Sequence, residues 1–240
     1  MKKLLKKIES NHWWRSFASL LAIVFLMICY NWQGVLLNKA IKLKQLEDET
    51  SYDQQIMLET FYILAFVIII LLGIILYVKL TQKKVFERIS WQKLKIVLLM
   101  FATSVVIQVL LNLLDQVING QAQTANNRQI EEIASLRPDF AVVLIGSAIL
   151  LSPIFEEIIY RGLFIDGIFK EHRMVGTIVQ AVVFGASHST DNIIQFLIFF
   201  VTGLFLGLIY WKTKKLQYSM LGHFTQNLIA GAMMVYDLIS

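Results

Sequence analysis

Residues 155–164 read Phe-Glu-Glu-Ile-Ile-Tyr-Arg-Gly-Leu-Phe. Three ionisable residues, Glu156, Glu157 and Arg161, lie there within an otherwise apolar segment. On insertion scales a charged residue at the centre of a membrane helix costs roughly 2.5–3.5 kcal/mol, and such residues usually serve a function. The stretch therefore predicts a functional site inside a membrane-embedded helix.

The composition of the chain is that of a membrane protein. It has 240 residues, of which 57% are hydrophobic and 16% charged, whereas soluble domains are typically about 25% charged. With two prolines and no alternating strand pattern, we predict an all-α fold, a polytopic membrane helix bundle rather than a barrel. The single cysteine, Cys29, excludes an intrachain disulfide and a cysteine-based metal site. Loop lysines explain the net charge of +5, so we expect the lipid bilayer as a partner and no nucleic acid.

Seven apolar segments come close to the ~20 residues that a spanning helix needs. We therefore expect about seven transmembrane helices, with six and eight as the alternatives. The first segment is too long for a signal-peptide core, so we expect it to be retained. The fifth is short and is the least secure of the set. The segments are approximately 17–37, 58–80, 94–118, 139–164, 174–190, 192–211 and 216–239.

A polar, turn-rich stretch at 119–138 divides the chain in two. We predict that residues 1–138 form N-terminal membrane spans and loops, and that residues 139–240 form a helical core with all the candidate chemistry. In the third segment Asn112 and Asp115 are weaker candidates: they could line the cavity, but we expect them to face a neighbouring helix or the outer interface. No internal repeat stands out, which argues against a two-repeat transporter.

The distribution of Lys and Arg predicts the orientation. Most of the 22 such residues lie at the N-terminus and in the loops after the second, fourth and sixth segments. Since cytoplasmic loops carry an excess of these residues, we expect a cytoplasmic N-terminus and an external C-terminus. Glu156 and His223 then fall in the cytoplasmic half. Along the membrane normal, His188 would then lie about 10–15 Å from Glu156 and His223, unless the fifth segment is only a half-span.

The two glutamates differ in their expected partners. Glu157 and Arg161 are four residues apart on a helix and can form an ion pair. Glu156 is rotated by about 100° from Glu157 and points elsewhere. This division suits one structural and one reactive carboxylate, the latter serving as a general base. The alternative is an ion-pair cluster that only locks helix packing.

Two histidine motifs follow in the second half. His188 is preceded by Phe184 one turn earlier, and alone it could be an interfacial residue. His223 and Asn227 share one helix face and alone could be polar contacts between membrane helices. Together with Glu156, these residues can bind and deprotonate a water and stabilise an oxyanion. Glu156, His188 and His223 could also hold Zn²⁺ or another divalent metal, although no His-Glu-x-x-His motif is present.

In this order, Glu156-Glu157-x-x-x-Arg161, Phe184-x-x-x-His188 and His223-x-x-x-Asn227 resemble the motifs of the CPBP family. These are the CAAX-protease and bacteriocin-processing membrane proteases, also called the Abi or type II CAAX endopeptidase family. The resemblance covers roughly residues 139–235.

The resemblance implies a role for each of these residues. Glu156 would activate the attacking water, and His188 would help to hold it. His223 and Asn227 would stabilise the oxyanion, with Glu157 and Arg161 in support. The family was long labelled metalloprotease; for its eukaryotic-type members we prefer a mechanism of glutamate and histidine without a catalytic metal, and for this chain both schemes stay open.

The function expected from the resemblance is an intramembrane endopeptidase that acts near the cytoplasmic face on a peptide or membrane-protein substrate. Roles in bacteriocin immunity and in the maturation of secreted peptides are implied in the same way. Two alternatives stay open: a non-catalytic immunity or scaffold protein, and a proton-coupled transporter that uses the carboxylates as a relay. The sequence makes no prediction about the oligomeric state.

Overall fold

The computed structural model describes residues 12–44, 49–136 and 138–239. The basic N-terminal residues 2–7, on which part of the orientation prediction rests, lie outside these ranges. The described residues form eight α-helices and no strand, which confirms the predicted helical bundle. The helices are α1 (His12–Lys44), α2 (Glu49–Thr81), α3 (Trp91–Asn119), α4 (Ala125–Leu136), α5 (Pro138–Glu157), α6 (Arg173–Ala186), α7 (Ile193–Thr213) and α8 (Leu216–Ile239).

Five helical stretches in the described ranges are long and apolar enough to cross a membrane. They correspond to the first four predicted segments and the sixth, so five of the seven predicted spans are supported on these grounds. The fifth segment falls in α6, whose 14 residues reach only about 21 Å, short of a ~30 Å hydrocarbon core. The seventh falls in α8, which has 24 residues but does not meet the same criterion.

A π-helical segment, Ile158–Ile168, continues α5 directly after the two glutamates. The wider register is visible at its end, where the Phe169 N–H donates to the Phe164 carbonyl, five residues back, at 3.1 Å. The segment packs closely against α2. A Cβ atom added to Gly162 would lie 2.8 Å from the Tyr77 ring. Such irregular turns are frequent at functional sites, and this one fixes the helix that carries the glutamates.

Basic residues from several loops gather at one end of the bundle. At one end Asp166 binds Lys83 at 2.5 Å and Arg173 at 3.2 Å, and Lys215 pairs with Glu87 nearby. These basic residues come from the loop after α2, the start of α6 and the loop after α7. The loops that the orientation prediction groups on one side therefore do meet at one end, which we call the basic end.

Candidate active site

The four predicted catalytic residues line one cavity of about 610 Å³. They are Glu156, His188, His223 and Asn227, and they come from α5, the loop after α6, and α8. The same cavity reaches residues 122–130 at the start of α4, on the side of the bundle away from the basic end. The short α6 explains how His188 reaches this site, since the helix ends at Ala186 instead of crossing the bundle.

The ion pair predicted within the first motif is present. Arg161 Nη1 lies 3.0 Å from Glu157 Oε1, and both side chains are fully buried. Arg161 Nη2 also donates to the Gly203 carbonyl of α7 at 3.0 Å. Its guanidinium lies over the Phe184 ring, 5.0 Å from the ring centre. The pair therefore joins α5 and the π-helical segment to α6 and α7.

His223 contacts both glutamates, and it does so unequally. Its Nδ1 is 3.0 Å from Glu157 Oε1, while its Nε2 is 3.8 Å from Glu156 Oε2. Because Glu157 is paired with Arg161, we assign its carboxylate as the acceptor and His223 Nδ1 as the donor. The assignment leaves His223 Nε2 directed at Glu156 and the cavity. The sequence did not predict this Glu157–His223 contact.

Glu156 is the glutamate without a firm partner. Its side chain is 20% exposed, against 0% for Glu157. Its Oε2 is buried yet makes no hydrogen bond within the described part of the chain; Glu157 Oε2 is likewise unbonded, but Glu157 does not line the cavity. Buried polar atoms are nearly always hydrogen-bonded, so an orphaned carboxylate oxygen at a cavity wall is suited to holding a water or a ligand.

His188 is held in place by aromatic side chains and one backbone carbonyl. Its Nδ1 lies 2.7 Å from the Phe184 carbonyl oxygen, so Nδ1 carries the proton and donates. The imidazole stacks on Phe199 at 4.3 Å and contacts the Phe184 ring at 4.6 Å. The Phe184 ring also meets His223, at 5.8 Å. The Phe184 ring thus lies between the two histidines and sets their spacing. Because the Phe184 carbonyl takes the Nδ1 proton of His188 in a hydrogen bond, His188 Nε2 stays available as an acceptor.

Asn227 has one amide hydrogen committed. Its Nδ2 donates to the Ala148 carbonyl at 2.8 Å, which joins α8 to α5. The NH₂ group has a second hydrogen, so one N–H is available on the cavity side. This is the donor that an oxyanion would need.

The loop that carries His188 is clamped by Asp115. This carboxylate is 2% exposed and accepts from three amides: Asn119 at 2.7 Å, Asn192 at 2.8 Å and Gln195 at 3.0 Å. Asn192 in turn caps α7 by accepting from the backbone N–H groups of residues 194 and 195. Asp115 faces a neighbouring helix, as expected. That helix is α7, which begins directly after the loop that carries His188.

Two further polar residues were missed by sequence reasoning. Gln180, which is fully buried in α6, donates to the Gly203 carbonyl at 2.8 Å, the same oxygen that Arg161 binds. Tyr160 donates to Ser187 Oγ at 2.9 Å and lines the cavity. A polar residue in a short apolar helix was the available signal for Gln180. Tyr160 gave no comparable signal.

The metal alternative requires at least three closely spaced donor side chains. Over the described ranges, no group of three His, Cys, Asp or Glu side chains is spaced to hold a metal ion. Glu156, His188 and His223 share the cavity wall but do not form such a group in this arrangement. We therefore derive no step through a metal.

Comparison with known proteins points to one family. Residues 138–229 match the family model described as Rce1-like, type II CAAX prenyl endopeptidase. The chain is also similar to the UPF0177 protein YvdC of Lactococcus lactis subsp. lactis (strain IL1403), with 25% identity over 169 residues. That alignment covers 69% of this chain and 63% of the relative, so the match spans less than two thirds of the relative's length. No solved structure matches the chain significantly.

Proposed function

We propose that the chain hydrolyses peptide bonds within the membrane, because residues 138–229 match the Rce1-like type II CAAX prenyl endopeptidase model and are consistent with a CPBP family intramembrane protease. The proposal does not extend to prenylated substrates. Its substrates are membrane-associated or secreted peptides or membrane proteins. Maturation of a small secreted peptide and bacteriocin immunity are the biological roles we propose, on the strength of the family resemblance.

One observation carries the proposal. A buried relay runs from Arg161 through Glu157 to His223, and it ends beside a second carboxylate, Glu156, that has an unpartnered oxygen. A structural ion-pair cluster would use both glutamates. Here Glu157 Oε1 is shared by Arg161 and His223, whereas Glu156 lies 3.8 Å from His223 and faces the cavity, as a general base needs to.

The first step is activation of water. Glu156 takes one proton from a water at the cavity wall, and His188 Nε2 accepts a hydrogen bond from the other O–H. The hydroxide oxygen attacks the carbonyl carbon of the scissile bond, and the carbonyl oxygen becomes an oxyanion. His188 can serve as an acceptor because its Nδ1 proton is committed to the Phe184 carbonyl.

The second step is stabilisation and collapse of the tetrahedral intermediate. The free N–H of Asn227 and His223 Nε2–H donate to the oxyanion. His223 Nδ1 donates to Glu157, so His223 offers an Nε2–H only in its doubly protonated form. That form places a positive charge next to the Glu157 carboxylate, 3.0 Å away. Glu156 then returns its proton to the leaving amine, and the carbon–nitrogen bond breaks.

The alternatives make different predictions for Glu156. A non-catalytic scaffold or immunity protein would keep its biological activity after Glu156→Ala. A proton-coupled transporter would show proton-dependent uptake in vesicles.

We also propose the arrangement of the chain in the membrane. The basic end faces the cytoplasm and the N-terminus lies on the same side, because basic loops are retained there. The cavity then extends toward the outer side, so we place substrate entry there rather than at the cytoplasmic face. The division between N-terminal spans and a catalytic core stays at residues 138 and 139.

The experiment is cleavage of a peptide library by the purified protein in nanodiscs. Mass spectrometry of the products should show new termini with the wild type and none with Glu156→Gln. Products that form equally with both proteins would overturn the proposal.

A further inference from the structure

We propose that the α3 wall of the cavity binds the backbone of an extended, uncharged, internal segment of the substrate. This inference rests on the proposed function and names the class of substrate that the site accepts. It comes from side-chain amides that the catalytic mechanism does not use, and from the absence of basic side chains among the described residues of the cavity wall.

The wall is a stripe of amides at helical spacing. Gln108, Asn112 and Gln116 lie four residues apart on α3, and all three line the cavity. Successive members are displaced by about 6 Å along the helix and about 40° around it, so the stripe stays on one face over roughly 12 Å. Further lining amides outside the catalytic set come from Gln123, Asn126, Asn127 and Gln226.

The stripe starts at the catalytic wall. Gln226, which precedes Asn227, donates to Gln108 Oε1 at 2.6 Å and to Thr202 Oγ1 at 3.2 Å. Gln108 donates to Ser104 at 2.7 Å. The first amide of the stripe is therefore fixed in orientation and joined to the helix that carries His223 and Asn227.

The rest of the stripe has hydrogen-bonding capacity to spare. Asn112 donates to the backbone carbonyl of residue 108 at 2.9 Å, and its Oδ1 is bonded to no residue that the structure describes. The Gln116 side chain is exposed, makes no hydrogen bond to any described residue, and lines the cavity at the far end of the stripe. Each of these amides can offer a donor and an acceptor to a ligand.

An extended peptide backbone matches this spacing. A strand rises about 3.3 Å per residue, so the N–H and C=O groups on one edge repeat every ~6.6 Å, close to the ~6 Å step of the stripe. A substrate must unwind for its amide bond to be attacked, and unwound backbone in a membrane leaves polar groups that need partners. The amide stripe supplies such partners to the substrate backbone, whatever the side chains of the substrate are.

The charge of the wall selects an internal segment. None of the described lining residues is Lys or Arg, and the ionisable ones are Tyr30, Glu156, Tyr160, His188 and His223. A free C-terminal carboxylate close to the scissile bond would meet the Glu156 carboxylate and find no lysine or arginine to pair with, since the cationic His223 is already paired with Glu157. Burying an unpaired charge is costly, so the site favours a chain that continues past the cleavage point.

The test measures binding separately from cleavage. Glu156→Gln protein in nanodiscs is titrated with a fluorescent, acetylated and amidated peptide of Ala, Val, Leu and Gly, and with the same peptide ending in a free carboxylate. Asn112→Leu and Gln116→Met, which keep the side-chain size, are then added to this background. We expect each variant to weaken binding of the amidated peptide roughly 3- to 10-fold, the range for one lost hydrogen bond. The free carboxylate should weaken binding at least as much.

A backbone contact leaves a specific signature. Methylating the peptide nitrogen that pairs with Asn112 should weaken binding to the background protein and have no further effect on Asn112→Leu. Gln92→Met is the matched control, since Gln92 lies exposed at the opposite end of α3. No measurable binding of the amidated peptide, equal binding by all variants, or additive losses would overturn the inference. Absence of cleavage by the protein with Glu156 intact, with peptide binding retained, would instead overturn the proposed function alone.

Discussion

His223 Nδ1 lies 3.0 Å from Glu157 Oε1, although Glu156 is the glutamate on the cavity wall. The adjacent glutamates therefore have separate tasks. Glu157 is fully buried between Arg161 and His223, while Glu156 keeps an oxygen without a partner. The expected behaviour of the molecule follows from this division.

Glu157→Gln should destabilise the protein strongly. The substitution leaves the buried Arg161 without a counter-charge, and breaking one partner of a buried pair typically costs about 3–5 kcal/mol. Chemical unfolding in detergent, followed by tryptophan fluorescence, measures the effect. Lys215→Gln, which removes the part-exposed pair with Glu87, is the control and should cost less than about 1 kcal/mol. Similar losses for the two variants would contradict a buried relay.

Gly203→Ala should impair both packing and cleavage. A Cβ atom at Gly203 would lie 3.0 Å from Phe184 Cβ and 3.1 Å from Ala181 Cα, so α6 and α7 must move apart. Overpacking of this kind typically costs about 1–3 kcal/mol. The displaced Phe184 would carry His188 with it, so kcat should fall as well. Thermal unfolding and cleavage assays on one preparation measure both effects.

The control for that change is Gly146→Ala in α5. A Cβ atom at Gly146 meets nothing within 4 Å, so stability should stay the same or rise slightly. If Gly203→Ala behaved like Gly146→Ala, the close approach of α6 to α7 would be refuted.

Asp115→Leu should loosen the loop that carries His188. Three amide donors, from Asn119, Asn192 and Gln195, would lose their shared acceptor, at a cost of roughly 1–3 kcal/mol. Hydrogen exchange over residues 187–195 should become faster and kcat should fall. Glu132→Leu, on the exposed side of α4, should change neither quantity. Unchanged exchange in Asp115→Leu would show that the clamp has no effect on the loop.

Chelation separates the two water-activation schemes. Our account uses Glu156 and the histidines directly, so cleavage should persist after treatment with EDTA or 1,10-phenanthroline. The measurement is the cleavage rate before and after chelation, with metal analysis of the same sample. Loss of activity that returns on addition of Zn²⁺ would contradict the metal-free scheme.

Local spacing explains what the sequence could predict of this site. The Glu157–Arg161 pair follows from a separation of four residues on one helix, and the structure contains it. The gathering of Glu156, His188 and His223 was expected from the order of the motifs. The contact between Glu157 and His223 joins residues 66 positions apart, and no periodicity encodes it.

Three other features of the site also depend on contacts between residues that lie far apart in the sequence or on where a helix ends. Hydropathy marked 174–190 as a span, but α6 ends after 14 residues, and that shortness corrects the expected depth of His188. The π-helical turn at Ile158–Ile168 depends on packing against α1 and α2, which lie far away in sequence. Asp115 holds the loop in place only because Asn192, which caps α7, and Gln195 donate to it. The sequence of α3 alone does not predict these contacts.

The most direct test of the central claim compares Glu156→Gln with the wild type for both cleavage rate and thermal midpoint. The account predicts that kcat falls by at least about 10²-fold, the contribution of a general base, while the midpoint stays within a few degrees. Glu131→Gln, a part-exposed glutamate on α4, should match the wild type in both. A Glu156→Gln protein that folds normally and still cleaves at the wild-type rate would contradict the claim that Glu156 activates the water.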